Sequence, residues 1–365
     1  MSNKRRGQDN QNKCAGGHKR SRRRKHLYLV LDDWSNGFSI YKIDADSFDD
    51  LPSGVVGHLP EPPVLRLESP VGQVAHAGMF FSTMGTKIFV FMTHCCGLVY
   101  DTNTAVLAIG PHAPAKMECG FGITVPTDDM LYALSYRFFD KHQPTSFEVV
   151  SWVPTAPDAM QRPTEGWSWK TLPAPPPAFN DRVSSYALHP DGCTIFMTTA
   201  NQGKMGTYSF NTQHSVWRWH GEWALPFLGE GYFDSELDAW VGLHFSGYIC
   251  SCQVVSPRSQ NTTPKMQLDW LMTKEKLFCK DPERHAGASL TYMGRSKFCL
   301  VETVIREGVE DRLALGDHDG CVIHMTMFGL KYNRQGELRT TDHQSTRSFI
   351  VPKHQDYFLP VAFWM

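Results

Sequence analysis

The sequence contains no long uninterrupted run of apolar residues. A membrane-spanning helix needs about 18 or more such residues in a row, and no window of the chain approaches that length. A secretory signal needs roughly 7 to 15 apolar residues behind its first charges, whereas this chain stays polar until Leu27. We therefore expect a soluble protein that is neither exported nor inserted into a membrane.

The ten cysteines form no recognisable disulfide or metal framework. Without export, the thiols are expected to stay reduced and to behave mostly as small apolar core residues. Cys250 and Cys252 stand two apart on a predicted strand, whereas structural zinc sites normally use a C-x2-C pair. Cys95 and Cys96, beside His94, could hold a reactive thiol, but no third group that would orient a base is in view. The sequence therefore favours core packing, with a reactive thiol as the alternative.

Motifs for bound cofactors are also absent. The chain has no Walker loop, no G-x-S-x-G elbow and no G-x-G-x-x-G that follows a strand. The segment GDHDG at 316–320 offers Asp317, His318 and Asp319 as metal ligands, but the glutamate that completes a calcium-binding loop is missing. A hairpin turn is the favoured interpretation there. We expect no cofactor, no bound metal and no catalytic residue that the sequence alone identifies.

Helical periodicity is scarce, and LDWLMTKEKLF at 268–278 is the one short candidate for a helix. The chain after Leu27 consists mainly of short runs of β-branched and aromatic residues, separated by Gly, Pro, Asn and Asp. Such runs predict strands of about four to eight residues with turns between them, and hence an all-β sandwich, barrel or propeller. The runs are HLYLVLDDW, TKIFVFM, GLVYD, MLYALSY, FEVVSWV, CTIFMTT, GTYSFN, AWVGLHF, KFCLVETVI and CVIHMTMF.

An internal repeat favours the propeller. YDTNTAVLAI at 100–109 aligns without a gap with FNTQHSVWRW at 210–219, and GWSWKTLPAP lies between them. The spacing gives a unit of about 55 residues. It continues to strands around Tyr41, Trp167, Trp270 and Met325. We predict about six blades of three or four antiparallel strands each, with seven blades as the alternative.

The repeat also predicts how the blades pack. Trp217 and Trp219 stand two apart on one strand, so their side chains point to the same face and can pack on the neighbouring blade. Trp167 and Trp169 are expected to do the same. The strand that closes the ring is either SFIVP or the terminal FLPVAFWM, each of which could pair with HLYLVLD.

Three carboxylates stand at alternate positions in GEWALPFLGEGYFDSELDAWVGL, namely Asp234, Glu236 and Asp238. A glycosidase-type acid pair needs two carboxyl groups that converge across a cleft, and closeness in sequence does not provide this. The apolar residues on both sides are typical of strand ends. We therefore predict a structural turn, in which Asp accepts backbone hydrogen bonds and Glu is solvated.

A second turn is predicted in HPDGCTIF at 189–196. Its Asp-Gly pair supplies a tight turn and Pro190 presets the entry, so a hairpin leads into an inner strand. Catalysis by His189 and Asp191 is the alternative. Turn chemistry already explains these residues.

The first 26 residues are basic, whereas the rest of the chain is acidic. Residues 1–26 contain ten Lys or Arg and one acid, Asp9, so the remainder sums to about −10 although the whole chain has a formal charge of −1. The segment is rich in Gly, Asn and Gln and lacks apolar periodicity. We predict a disordered basic tail over 1–26 and a β-propeller domain over 27–365.

Two basic clusters in this tail match a bipartite nuclear-import signal or a nucleic-acid-binding arm, with an inert solvated tail as the alternative. The residues are Lys4, Arg5, Arg6, Lys19, Arg20, Arg22, Arg23, Arg24 and Lys25. Nucleic-acid binding would weaken steeply with salt and disappear on removal of residues 1–26. The protein is accordingly expected in the nucleus or the cytoplasm.

Four stretches, HLYLVLDDW, SYALHPDG, GEWALPFLGEGYFDSELDAWVGL and KEKLF, resemble a plant family of uncharacterised proteins, expanded in grasses, that carries a domain of unknown function. The resemblance runs from about Leu27 to the C-terminus. The blade pattern is also similar to kelch-type propellers and to the propeller that follows the F-box in many plant proteins. An F-box itself is not recognisable, because glycines and prolines in residues 49–70 exclude its helices. The resemblance implies a propeller without an established activity and supplies no catalytic residues.

A non-enzymatic scaffold for protein-protein interaction is the leading functional interpretation, because propellers present loops around a central channel and function resides in sites on the fold. We expect a monomer with a protein partner that the sequence does not identify, and no membrane partner. One alternative is an enzyme of the hydrolase or oxidase class, with inward-facing His, Asp or Glu of shifted pKa in a channel pocket. The other is a nucleus-associated protein that contacts nucleic acid through its basic tail.

Overall fold

The computed structural model of the 365-residue chain leaves gaps between the segments that it describes. The described residues are 24–32, 37–50, 56–68, 79–92, 97–117, 121–135, 145–153, 166–176, 179, 183–201, 204–258, 268–310, 319–341, 345–351 and 359–365. They form strands, turns and short 3-10 helices at Ala45–Asp50, Ala115–Met117 and Pro282–Arg284. This part of the chain holds no helix with the length and apolar character of a membrane span.

Most of the described strands are short. They are β1 (Leu27–Asp32), β2 (Phe38–Ile43), β3 (Val56–His58), β4 (Leu65–Leu67), β5 (Met79–Met84), β6 (Lys87–Met92), β7 (Gly97–Asp101), β8 (Val106–Ile109), β9 (Phe121–Thr127), β10 (Met130–Ser135), β11 (Phe147–Val153), β12 (Gly166–Thr171), β13 (Val183–Leu188), β14 (Thr194–Asn201), β15 (Lys204–Asn211), β16 (Val216–Gly221), β17 (Leu228–Asp234), β18 (Ala239–Leu243), β19 (Ile249–Gln253), β20 (Trp270–Met272), β21 (His285–Gly294), β22 (Lys297–Ile305), β23 (Cys321–Tyr332), β24 (Leu338–Thr340), β25 (Ser345–Val351) and β26 (Val361–Trp364). Each of the ten runs that the sequence predicts as strands lies on a strand.

The described strands form six blades of a β-propeller. Blade 1 has the order β26-β1-β2-β4 from the inside outward, and blades 2 to 5 are β5–β8, β9–β12, β13–β16 and β17–β20. Blade 6 is β21-β22-β23-β25, with β24 beside β23 and β3 at the outer edge. Contacts join the inner strands in sequence from β5 through β9, β13, β17 and β21 to β26. The prediction of an all-β propeller with about six blades is confirmed.

The core lies between the blades. Apolar clusters fill the space between each consecutive pair, including the pair formed by blade 6 and blade 1. Because each blade packs between two neighbours, second strands such as β1 and β18 are buried at every position. The outermost strands β8 and β20 are exposed at every position. This arrangement explains why apolar runs, rather than strict alternation, mark the second strands in the sequence.

The repeat spacing identifies the outermost strand in four blades. In the other two blades it points to the third strand instead. Leu107, Trp167, Trp217 and Trp270 lie on the outermost strands β8, β12, β16 and β20. Tyr41 and Met325 instead lie on the third strands β2 and β23. In both cases an additional short strand, β3 or β24, lies in sequence between this third strand and the fourth strand of the blade, β4 or β25.

The candidate helix over 268–278 does not form, and the strand that the repeat predicts around Trp270 is confirmed. Residues 270–272 form β20, which pairs with β19 at the outer edge of blade 5, and the Thr273 N–H continues this contact to Ile249 O at 2.9 Å. A helix of about 12 residues or fewer is marginal without tertiary support. Pairing with the blade edge therefore prevails over local helix propensity.

Three of the four tryptophans predicted to pack on a neighbouring blade do so. Trp167 meets Phe89 of blade 2 edge-on at 4.8 Å between ring centroids, and Trp169 meets Phe91 at 5.6 Å. Trp217 meets Phe147 of blade 3 at 5.2 Å. These contacts confirm the predicted packing of outer strands on the preceding blade.

Trp219 is the exception, and the prediction for it is wrong. Its ring packs on Tyr208 of its own blade at 4.6 Å and lies so close to Gly206 that a Cβ there would come within 2.3 Å of it. The register between β15 and β16 shifts at Thr207 and Tyr208, next to this contact. The ring lies on the adjacent strand β15 of the same blade, and the residue is 48% exposed.

The C-terminal strand closes the ring. β26 pairs antiparallel with β1, and His26 and Met365 extend this pairing with two backbone hydrogen bonds. The hydroxyls of Ser289 and Thr291 on β21 donate to Pro360 O and to Ala362 O, both at 2.7 Å. Of the two closing strands that the sequence leaves open, FLPVAFWM therefore has this role. SFIV forms the second half of β25, which pairs with β23 and β3.

Candidate functional site

The inner strands β13 and β17 pair in parallel and join blades 4 and 5 into one eight-stranded sheet. Tyr186 stands opposite Glu230 in this register. Ala187 and Phe233 pack into the core between the two blades. Because successive residues of a strand point to opposite faces, Tyr186, Glu230 and Tyr232 lie on the other face, at the junction that borders the central channel. We call these three residues the channel cluster.

Two glycines determine the course of β17 around Glu230. Gly229 has a φ of +67°, in the left-handed region that favours glycine. A Cβ on Gly231 would lie 2.2 Å from the Phe227 ring. The register between β17 and β18 also shifts between Leu228 and Tyr232. Irregularities of this kind redirect side chains and are common beside functional sites.

The Tyr232 hydroxyl connects the channel cluster to blade 6. It lies 3.1 Å from Glu230 Oε2 and 2.9 Å from Leu290 O on β21. A phenol has one proton, so Tyr232 can donate to only one of these acceptors at a time. When it donates to Leu290 O, a protonated Glu230 can donate to the phenol oxygen.

The pKa values of the channel cluster agree with this arrangement. Burial raises the pKa of Glu230 to about 7, although the hydrogen bond from Tyr232 favours the charged form. Burial, followed by the charge of Glu230, raises the pKa of Tyr186 and of Tyr232 well above the usual value for a phenol. Both hydroxyls are therefore protonated at neutral pH, whereas Glu230 gains or loses its proton near neutral pH.

Asp234, the first carboxylate of the predicted corner, has a structural role, whereas Glu236 and Asp238 are exposed. Asp234 is fully buried, and its Oδ1 accepts hydrogen bonds from the N–H groups of Glu236 at 3.0 Å and Leu237 at 2.9 Å, which closes the turn into β18. Its Oδ2 accepts from the Tyr292 hydroxyl at 2.9 Å and the Ser296 N–H at 2.8 Å, both in blade 6. The turn is confirmed, and Asp234 also fastens blade 5 to blade 6.

A protein-family model described as "Protein of unknown function (DUF1668)" matches residues 24–349, which is most of the chain. The chain belongs to the DUF1668 family. A search of the curated proteins finds no significant match.

Solved structures that resemble the DUF1668 chain share little sequence with it. TolB from Acinetobacter baumannii is 10% identical, with a TM-score of 0.43 over 89% of this chain and 66% of that one, so this chain spans slightly under two thirds of its length. A putative 6-phosphogluconolactonase from Bacteroides uniformis is 11% identical, with a TM-score of 0.43 over 92% and 86% of the two chains. The β-propeller domain of Cps50 (Swd1) from Myceliophteria thermophila is 8% identical, with a TM-score of 0.38 over 90% and 84%.

The DUF1668 match begins at Arg24, near the end of the predicted tail. Arg24 forms ion pairs with Asp44 at 3.0 Å and Asp46 at 2.7 Å, beside β2. Lys25 is also within the described residues. The other residues of the two basic clusters, Lys4, Arg5, Arg6, Lys19, Arg20, Arg22 and Arg23, lie outside them.

The turn predicted in HPDGCTIF is also confirmed. Asp191 Oδ1 accepts from the N–H groups of Cys193 and Thr194, both at 2.9 Å, and Gly192 N–H donates to His189 O at 2.9 Å. The side chains of His189 and Asp191 lie 3.1 Å apart within this turn. Hydrogen bonds of the turn therefore occupy Asp191, which connects β13 to β14.

The remaining sequence candidates divide between the core and the undescribed part of the chain. Cys250 and Cys252 are buried on β19, and burial raises the pKa of Cys250 to about 12, so both pack in the core as predicted. His94, Cys95, Cys96, Asp317 and His318 lie outside the described residues, whereas Asp319 lies within them. Among the described residues, no three His, Cys, Asp or Glu side chains come together as a metal site.

A polar row on blade 6 was not identified from the sequence. The buried Glu302 accepts from the Cys279 N–H at 2.8 Å and lies 2.8 Å from His285 Nδ1. On the adjacent strand, His324 Nδ1 lies 2.7 Å from Ser348 Oγ. A catalytic serine and its carboxylate would share one histidine. In the described part of the chain, Glu302 is hydrogen-bonded to His285 and Ser348 to His324. The row therefore does not form a triad.

The channel cluster was also missed, because its members are far apart in sequence. The spacing between Tyr186 and Glu230 has no meaning until β13 and β17 pair. The one available signal was LGEG, in which a single acid stands between glycines in an otherwise apolar and aromatic strand. An acidic side chain in such a strand is either exposed to solvent or buried at a site where its charge has a partner.

Proposed function

We propose that the protein is a non-enzymatic β-propeller scaffold for protein-protein interaction, and that a partner protein contacts it at the channel cluster. The observation that supports this proposal is that two tyrosines lie next to Glu230. The Tyr232 hydroxyl lies 3.1 Å from its carboxyl group, Tyr186 stands opposite it in the strand register, and both phenols are protonated at neutral pH. Tyrosine is prominent among residues that dominate binding energy at interfaces. The likeness to kelch-type and F-box-associated propellers and the origin in grasses stay predictions.

An enzyme of the hydrolase or oxidase class with its site in the channel is the second candidate. The pKa of Glu230, raised by burial to about 7, suits a general acid or base. Such an enzyme would also need a nucleophile, a second acid or an activated water. A phenol whose pKa is raised well above its usual value is a poor base and a poor nucleophile. The composition of the channel cluster therefore favours binding over catalysis.

The scaffold proposal is tested by crosslinking and reconstitution. A photoreactive phenylalanine analogue replaces Tyr186 in one protein and the exposed Trp219 of the outer strand in another. We expect one protein to crosslink reproducibly at position 186 and not at position 219. The purified partner should then bind the full chain, and Tyr186→Ala should weaken binding by at least about tenfold, whereas Trp219→Ala should not. A partner that binds both variants as tightly as the wild type would contradict the proposal.

We also propose that the basic tail directs the protein to the nucleus. The test replaces Lys4, Arg5, Arg6, Lys19, Arg20, Arg22 and Arg23 by alanine and retains Arg24, whose ion pairs with Asp44 and Asp46 belong to the fold. A fluorescent fusion of the variant should lose nuclear accumulation. If binding to nucleic acid is responsible, the affinity of the wild type for DNA should fall steeply with added salt, and that of the variant should be low throughout. Unchanged localisation and unchanged DNA affinity would favour the inert tail.

A further inference from the structure

One oxygen of Glu230 has no hydrogen-bonding partner among the described residues. Oε2 lies beside the Tyr232 hydroxyl, and no described donor reaches Oε1. The side chain keeps part of its accessible surface although burial raises its pKa to about 7. No described cation contributes to that pKa. Partial burial without a cation favours the protonated form of this carboxyl group, and a positively charged ligand would favour its ionised form.

The surroundings of Glu230 are aromatic and neutral. Tyr186 faces it from β13 and Tyr232 from β17, and Tyr292 of β21 stacks on Tyr232 at 6.1 Å between ring centroids. Asp234 stands four residues farther along β17, where five hydrogen bonds occupy its carboxylate. A carboxylate beside aromatic rings is a combination that binds organic cations, through a charge-assisted hydrogen bond and the ring faces.

We infer that the channel cluster binds the charged end of a lysine or arginine side chain, with Glu230 as the counter-ion and the rings of Tyr186 and Tyr232 beside the cation. This inference rests on the proposed function, because it assigns the cation to a loop of the partner protein. Below pH 7 the neutral acid releases its proton as the cation binds, and the product is an ion pair. Tyr232 can then donate to Glu230 only if it gives up its hydrogen bond to Leu290 O. Occupancy of the channel is thereby linked to the contact between blades 5 and 6.

The affinity of the channel cluster for a cation should depend on pH through the ionisation of Glu230. The cation binds the ionised carboxyl group, and burial raises the pKa of that group to about 7. The ionised fraction falls about tenfold between pH 8 and pH 6 for such a group. The affinity for a cation should therefore fall about tenfold over the same interval.

The experiment uses the full chain and small cations as probes. Isothermal titration calorimetry at pH 8 and pH 6 measures the affinity of the protein for n-butylguanidinium and for n-butylammonium. The uncharged control is 1-butanol. We expect both cations to bind about tenfold more tightly at pH 8, with proton release at pH 6, and 1-butanol not to bind. Glu230→Gln should abolish binding, whereas Glu222→Gln, at an exposed position, should leave it unchanged.

A second measurement does not depend on a variant that folds. A carbon-13 titration of labelled glutamate carboxyl groups in the wild type should show one pKa near 7, and n-butylguanidinium should lower it. An unchanged pKa, or equal binding of the cations by Glu230→Gln, would overturn the inference. If the cations fail to bind while the partner still depends on Tyr186, the scaffold proposal stands and the cation site is wrong. Cation binding without any partner at the channel would leave the cation site in place and contradict the scaffold.

Discussion

Asp234→Ala is expected to lower the free energy of unfolding by about 3 to 5 kcal/mol. The buried carboxylate accepts five hydrogen bonds from the N–H groups of Glu236, Leu237 and Ser296 and from the hydroxyls of Tyr292 and Ser296. Alanine would leave these donors without their acceptor in a buried place, and each such donor costs about 1 to 3 kcal/mol when nothing relaxes. Urea unfolding of the purified protein measures the loss.

The matched control is Asp238→Asn in the same turn. Asp238 is exposed and has a φ of +49°, a conformation that asparagine also tolerates, so this change should alter stability by less than about 0.5 kcal/mol. Equal stability of Asp234→Ala and the wild type would show that the turn does not depend on the carboxylate. In that case, the assignment of Asp234 as the fastening between blades 5 and 6 would be wrong.

The same carboxylate predicts a loss of stability in acid. Burial alone would raise the pKa of Asp234, but hydrogen bonds from Ser296, Leu237 and Tyr292 outweigh it and hold the pKa below the usual 3.8. A lowered pKa stabilises the folded state above the unfolded value and loses that effect as the pH falls through the folded value. The stability difference between the wild type and Asp234→Asn should therefore shrink below about pH 4.

Deletion of residues 359–365 should have the largest effect, a loss of more than about 5 kcal/mol that abolishes cooperative unfolding. It removes β26, the inner strand of blade 1, together with its pairing to β1 and the acceptors of the Ser289 and Thr291 hydroxyls. It also exposes the edge of β1, a fully buried strand, and such edges promote aggregation. Thermal melting followed by circular dichroism, with size-exclusion chromatography, measures both effects.

A peptide of residues 359–365 provides the control for this deletion. Added in excess, it should occupy the vacated position beside β1 and restore the melting transition, because binding to the folded state alone stabilises it. A peptide with the same residues in scrambled order should have no effect. A truncated protein that melts like the full chain would contradict the assignment of β26 as the closing strand.

The sequence predicts the propeller well because its blades repeat locally. The strand runs, the turn in HPDGCTIF and the corner at Asp234 are each determined by neighbouring residues. The predictions fail where distant pairing decides the outcome. The register shift between Thr207 and Tyr208 turns Trp219 onto its own blade, and the helix-like pattern of residues 268–278 does not outweigh the pairing of β20 with β19.

The candidate site could not be predicted for the same reason. Tyr186 and Glu230 meet only because two inner strands pair in parallel across a blade boundary. The blade-6 row likewise joins Glu302, His324 and Ser348 across three strands. Residue types and spacing contain no information on such contacts until the register is known. The role of Asp234 was half predicted: its turn is local, but its bonds to blade 6 are not.

The short strand β3 has a consequence for the way the ring opens. The segment between β2 and β4 leaves blade 1, pairs in parallel with β25 at the outer edge of blade 6, and returns. Blades 1 and 6 are thus connected at two places: β26 joins them near the centre of the propeller, and β3 joins them at the outer edge. Neither of the two flanking blades can detach without disrupting the other. Blades 1 and 6 should therefore unfold together as one unit. Hydrogen exchange of their backbone amides should then report the same free energy of opening for both blades.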